Sequence, residues 1–154
     1  MATIDVEQII KGIRLLQQVQ EQLRAKELSP EGAWIHQYQV TRSYPSGNVE
    51  TYCYAKWQAK QPIFSKKPKS HRRSQPPQHK HEFTCHQHIG RVSSTTGLGM
   101  DEAVKAAYIA WNNRKKLTEV EQALTQIQSV LEKTEVEMGN MQDESVLEKN
   151  KWIG

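Results

Sequence analysis

A chain of 154 residues in which 36% of the side chains are hydrophobic has room for one modest core and for appendages outside it. No stretch approaches the roughly 20 apolar residues of a membrane span, no charged-then-apolar leader precedes a cleavage site, and two cysteines are too few for a disulfide framework. A soluble, reduced, cytoplasmic protein is therefore expected, and its charge is unevenly spread: residues 1–33 carry 4 basic and 5 acidic side chains, 34–116 carry 14 and 4, and 117–154 carry 3 and 8. A basic centre between acidic flanks suits a polyanionic partner.

The first 28 residues read as an N-terminal helical segment. Val6, Ile9, Ile13, Leu16 and Leu23 follow a three-four spacing that predicts a helix over 4–25, with Thr3 as its N-cap. Leu28-Ser-Pro-Glu-Gly32 ends it and turns the chain into a sheet module over 33–111.

Two runs rich in aromatic and β-branched residues, Ala33–Tyr44 and Val49–Trp57, flank Pro45-Ser-Gly-Asn48 and predict a hairpin. A four-residue turn places Tyr44 opposite Val49, Val40 opposite Cys53, Tyr38 opposite Ala55 and His36 opposite Trp57. A third strand is expected over 82–92, with Phe83, Cys85 and Ile89 on the same core face. The opposite face then carries Gln37, Gln39 and Thr41, Tyr52, Tyr54 and Lys56, and Thr84, His86 and His88. It is polar yet studded with rings, unlike an ordinary wet sheet face. A slip of one residue would exchange faces, and Arg42 and Gln87 already fit the core side badly.

Between the hairpin and the third strand, residues 65–81 hold Lys66, Lys67, Lys69, Arg72, Arg73 and Lys80 and nothing apolar to bury except proline. A mobile basic loop is expected, because such a segment cannot offset the entropy of ordering itself. It would contact phosphates without reading sequence. His79, His81, Cys85, His86, His88 and Cys53 are zinc-ligand types, but their spacing fits no finger or ribbon, and Cys85 would face away from His86 and His88. The two cysteines read as small core residues, and no metal or other cofactor is expected.

A long helix is expected over 101–138. Ala103, Ala106 and Ala110 form a small-residue stripe on it, and Val104, Tyr108 and Trp111 a larger one. From there Leu117, Val120, Leu124, Ile127, Leu131, Thr134 and Met138 continue at alternating three-four spacing, a coiled-coil seam that either meets residues 4–25 or pairs with a second copy. The seam outruns the first helix, so a homodimer is expected. Gly139-Asn-Met-Gln-Asp-Glu-Ser145 should end the helix, leaving a polar tail over 139–154.

Three antiparallel strands followed by a helix, carried by Tyr38-x-Val40, Tyr52-x-Tyr54-x-Lys56, His88-Ile-Gly-Arg91 and the helix through Trp111, resemble small sheet-based DNA-binding modules of the AP2 type and the arm-binding domains of tyrosine recombinases. The resemblance covers about half the chain and implies a sheet lying in a DNA groove, without catalysis. The basic insertion and the coiled extension depart from those families. The expected fold is α+β: a three-stranded antiparallel sheet packed on an N-terminal helix and a long C-terminal helix. The expected function is non-catalytic binding of nucleic acid, DNA first, through Gln37, Gln39, Tyr52, Tyr54, Lys56, His86, His88, Arg91 and the six basic loop residues. No nucleophile elbow, Walker lysine or HExxH motif points to an enzyme, and no small-molecule substrate or membrane contact is indicated. The rival reading is a helical protein-interaction adaptor.

Overall fold

A computed structural model describes residues 3–66 and 82–151. Two compact units emerge, Lys26–Arg114 and a second built from the segments before and after it. The architecture is α+β: an N-terminal helix, a three-stranded antiparallel sheet, and a long C-terminal helix that packs on the sheet.

Helix α1 runs from Val6 to Arg24. Its N-cap is Asp5, not Thr3: the Asp5 carboxylate accepts the Glu7 N–H at 3.0 Å. A carboxylate at this position both satisfies an orphan donor and complements the helix dipole, which favours it over a threonine two residues earlier.

Strands β1 (Ala33–Ser43) and β2 (Val49–Ala59) form the hairpin. Its register differs by one residue from the sequence expectation: Ser43 lies opposite Val49, Val40 opposite Tyr52, Tyr38 opposite Tyr54, Gln37 opposite Ala55 and Ile35 opposite Trp57. The turn explains the shift. The Gly47 N–H donates to the Tyr44 carbonyl at 3.0 Å, Gly47 takes φ +83°, and the Tyr44 N–H donates to the Asn48 carbonyl at 2.9 Å. Asn48 therefore pairs with Tyr44, and the loop is the three residues Pro45, Ser46 and Gly47, with glycine supplying the left-handed position such loops require.

The expected third strand is divided. Phe83–Thr84 (β4) pairs with Phe64–Ser65 (β3) in a separate two-stranded ribbon, and His86–Ser94 (β5) completes the main sheet in the order β1-β2-β5. Phe83 is exposed, and Phe64 is buried instead, against Ala33, Ala59 and Trp57. Cys53 and Cys85 are only half-buried. Pairing of β2 with β5 is interrupted twice, between Ala55 and Lys56 and between Cys53 and Tyr54.

Helix α2 is one continuous element from Glu102 to Lys151. Its first turns carry Val104 and Ala107 against Ile35 and Ala55, with Trp57, Ile89, Val92, Tyr108 and Trp111 around them. Full burial of a valine such as Val104, 0% exposed, is worth about 1.5–3 kcal/mol. The close approach depends on Gly90, where a Cβ would lie 2.9 Å from Asp101 Oδ2 and 3.2 Å from Val104 Cγ2. Asp101 ties strand to helix: its carboxylate accepts the Arg91 backbone N–H at 2.7 Å and Arg91 Nη2 at 3.2 Å, and its own N–H donates to the Arg91 carbonyl at 2.9 Å. At the other end of this unit the 27–31 turn is clasped to α2. Asn113 Nδ2 donates to the Glu27 carbonyl at 3.3 Å, Arg114 Nε to the Ser29 carbonyl at 2.8 Å, and the Ser29 N–H to the Ala110 carbonyl at 3.2 Å.

In the other unit, Leu23 and Leu117 are buried and Arg24 pairs with Glu121 at 3.1 Å. Burial fades away from that end on both helices. Ile13 and Leu16 are half-buried while Ile9 and Val6 are exposed, and Val120, Leu124 and Ile127 are half-buried while Leu131 and Met138 are exposed. The helix does not stop at Gly139-Asn140. Those two residues cost only about 1 kcal/mol or less each in a helix interior, and Met141, Gln142, Glu144, Leu147 and Glu148 around them are strong helix formers. No helix among the described residues is long and apolar enough to cross a membrane.

Candidate functional site

Side chains alternate across a strand, so with Ile35, Ala55 and Trp57 turned to α2, the even-numbered residues of β1 and β2 share the opposite face. On that face Tyr38 stands directly across from Tyr54, their ring centroids 5.8 Å apart. Tyr52, two residues along β2, has its ring 6.0 Å from that of Tyr54 and inclined by 19°. His88 of β5, paired with Lys56, turns its edge to Tyr54 at 5.6 Å. Four rings from three strands thus form a continuous cluster with Tyr54 at its centre, and aromatic contacts of this kind contribute about 0.5–1.5 kcal/mol each beyond area burial.

Two cations complete the cluster. Lys56 Nζ lies 5.2 Å from the centroid of Tyr38, and Arg42 Cζ 5.6 Å from that of Tyr52. Contacts of this type are worth about 0.5–1 kcal/mol at exposed sites. Two of the three hydroxyl groups are already engaged. Tyr38 Oη is 3.2 Å from His88 Nδ1, and Tyr52 Oη donates to the Glu50 carboxylate and lies 3.2 Å from Tyr44 Oη. The hydrogen bond to Glu50, seconded by the one with Tyr44, holds the Tyr52 phenol protonated well above its ordinary range.

Of the residues the sequence nominates, Tyr52, Tyr54, Lys56 and His88 come together here, and His86, two residues before His88, sits opposite Gln58 at the same end of β5. Gln37 and Gln39 do not join them. The one-residue shift turns both to the helix side, where Gln37 Nε2 donates to Tyr108 Oη at 2.7 Å and Gln37 Oε1 lies 3.9 Å from Cys53 Sγ. Arg91 pairs with Tyr54 along the backbone, but its guanidinium is bound to Asp101. Lys66 follows the short β3 strand, outside the three-stranded sheet, and its N–H donates to the Glu82 carbonyl at 2.8 Å. Lys67, Lys69, Arg72, Arg73 and Lys80 lie outside the described residues. Among the described residues no three His, Cys, Asp or Glu side chains gather as a metal would need.

Sequence reasoning missed Tyr38, Arg42 and Glu50. The signal was present in Pro45-Ser-Gly47: proline in the second position of a turn and glycine in the fourth is the pattern of a three-residue loop, and that loop sets the register.

Fold and site together define a class: a small α+β module whose antiparallel sheet is backed by a helix on one face and carries a ring-and-cation surface on the other. No protein family, curated protein or solved structure matches the chain.

Proposed function

We propose that this protein binds nucleic acid without catalysing a reaction, DNA being the first candidate, and that the open sheet face is its contact surface. The observation that carries the reading is the cluster Tyr38, Tyr54, Tyr52 and His88 with Lys56 and Arg42 over its rings. Rings offer planes on which bases or sugars rest, and cations beside them favour an anionic ligand. The basic run Lys66, Lys67, Lys69, Arg72, Arg73 and Lys80 supports the same partner by its charge alone, as a sequence-independent attraction that weakens with salt. Gln37, Gln39 and Arg91 drop out of the contact set: Gln37 is bonded to Tyr108 and Arg91 to Asp101, and Gln39 lies on the helix side of β1.

An electrophoretic mobility assay over a salt series tests the proposal. Binding at low salt that falls steeply as salt rises is the expected result, and no shift at the lowest salt would remove the reading. One observation favours the rival adaptor role: Leu131, Met138, Met141 and Leu147 are more than half exposed on the acidic second half of α2. Of these, Leu131, Met138 and Met141 extend the seam beyond the reach of α1, and we propose that a second copy covers them as a coiled coil.

A further inference from the structure

We infer that the ligand of the open sheet face is an unpaired strand whose bases stack on Tyr52, Tyr54 and Tyr38, and not a duplex read along its groove. The inference rests on the nucleic-acid reading above and narrows it.

Three observations point this way. First, two of the three tyrosine hydroxyls are spent inside the face: Tyr38 Oη on His88, and Tyr52 Oη on Glu50 and Tyr44. Reading a duplex groove relies on donors and acceptors presented to base edges. What this face offers is chiefly rings, on which a base lifted out of a helix can rest once Arg42 and Lys56 swing from the planes of Tyr52 and Tyr38 toward its phosphates.

Second, the spacing fits an extended strand. From Tyr54 the neighbouring tyrosine rings lie 5.8 Å away across the hairpin, at Tyr38, and 6.0 Å away along β2, at Tyr52. Each distance is roughly twice the ~3.4 Å rise of a strand in B-form DNA. Stacked base pairs therefore cannot match one ring to one base, whereas a strand pulled out to nearly its full reach can.

Third, among the described residues this face carries little charge for a groove. Arg42 and Lys56 lie over rings, and Glu50 sits in register with Arg42. Duplex DNA carries one negative charge per ~1.7 Å of axis, so phosphates flanking an inserted sheet would need several cations and would be repelled by the Glu50 carboxylate. Base stacking depends on ring area and tolerates a nearly neutral platform.

The test uses fluorescence anisotropy of the full chain with three labelled probes of about a dozen nucleotides, within the ~4–16 nucleotide range of stacking sites: an oligothymidine strand, a duplex of equal length, and an abasic strand with the same phosphates. The expected order is intact strand tightest, with the duplex and the abasic strand each at least about tenfold weaker at the same salt. Y52A and Y54A should each weaken binding of the intact strand by roughly 5- to 150-fold, the loss of one stacked base. Y52F and Y54F, which keep the rings and fold as the parent by circular dichroism, should bind as the parent does. A duplex bound as tightly as the strand, an abasic strand bound as tightly as the intact one, or phenylalanine variants as weak as the alanine variants would each overturn the inference. Binding of the duplex alone would leave the broader proposal standing, and binding of no probe would remove both.

Discussion

At the scale of single residues, the Tyr52 hydroxyl is, among the described residues, a group clearly changed by its surroundings. Its hydrogen bond to Glu50 stabilises the protonated form, so the folded-state pKa lies above the ordinary value of 10.0. The sign follows from proton binding: the stabilisation is fully present below that ordinary value and is lost as pH rises beyond it, because the unfolded chain then releases a proton that the folded chain keeps. In an alkaline absorbance titration, part of the tyrosine signal should rise only above the ordinary range, and E50Q should lower the midpoint of that part. Unchanged titration in E50Q would place the cause elsewhere. Gly90 gives a second prediction. G90A forces a methyl against Asp101 and Val104, so a loss of about 1–3 kcal/mol is expected, read as a lowered melting temperature. The Gly90 effect was not legible in the sequence, since it depends on Asp101 and Val104 arriving from the helix side; the Tyr52–Glu50 pair lies two apart on one strand and was legible as same-face neighbours once β2 was assigned.

Elements were more legible than faces. Composition and periodicity located the first helix, the hairpin, a strand after the basic run and the long helix, since each has its own hydrophobic period or turn cluster. The faces of β1 were misread because side-chain direction has a period of two, so a turn one residue shorter moves the whole set Gln37, Gln39 and Thr41 to the helix side. On β2 the alternation of Tyr52 and Tyr54 with Cys53 and Ala55 was strong enough to assign both faces correctly. A pair of substitutions checks the observed register. I35A should cost about 2–5 kcal/mol as a large-to-small change in the core, since Ile35 is 8% exposed. V40T, on the open face opposite Tyr52, should leave the melting temperature within a few degrees of the parent. Opposite outcomes would restore the discarded register. The helix end was misplaced at Gly139 because two unfavourable residues were weighed without the favourable ones around them.

For the molecule as a whole, assembly follows from what α1 leaves uncovered. The seam is buried at Leu117, half-buried through Ile127 and open from Leu131 onward. Light scattering at roughly tens of micromolar should therefore give twice the chain mass, and replacing Leu131 and Met138 by glutamate should return the monomer while the sheet signals persist. A monomeric parent would remove the dimer. The candidate surface was half legible at this scale. The sequence singled out Tyr52, Tyr54, Lys56 and His88 as residues too aromatic for an ordinary wet face, but their partners Tyr38 and Arg42 depended on a register that local pattern did not determine.

The clasp between the 27–31 turn and α2 has a consequence for how the chain can be rearranged. Glu27 and Ser29 near the start of the sheet unit are hydrogen-bonded to Asn113 and Arg114 at its finish, so the segment leaves the unit beside the point where it came in. A unit with adjoining ends behaves as a cassette: it can be spliced into a surface loop of a host, or its ends can be joined and new ones opened elsewhere. A circular permutant joining residue 114 to residue 26 through a short glycine linker and opened within Pro45-Ser-Gly47 should keep the native fluorescence of Trp34, Trp57 and Trp111, all of which lie inside the unit.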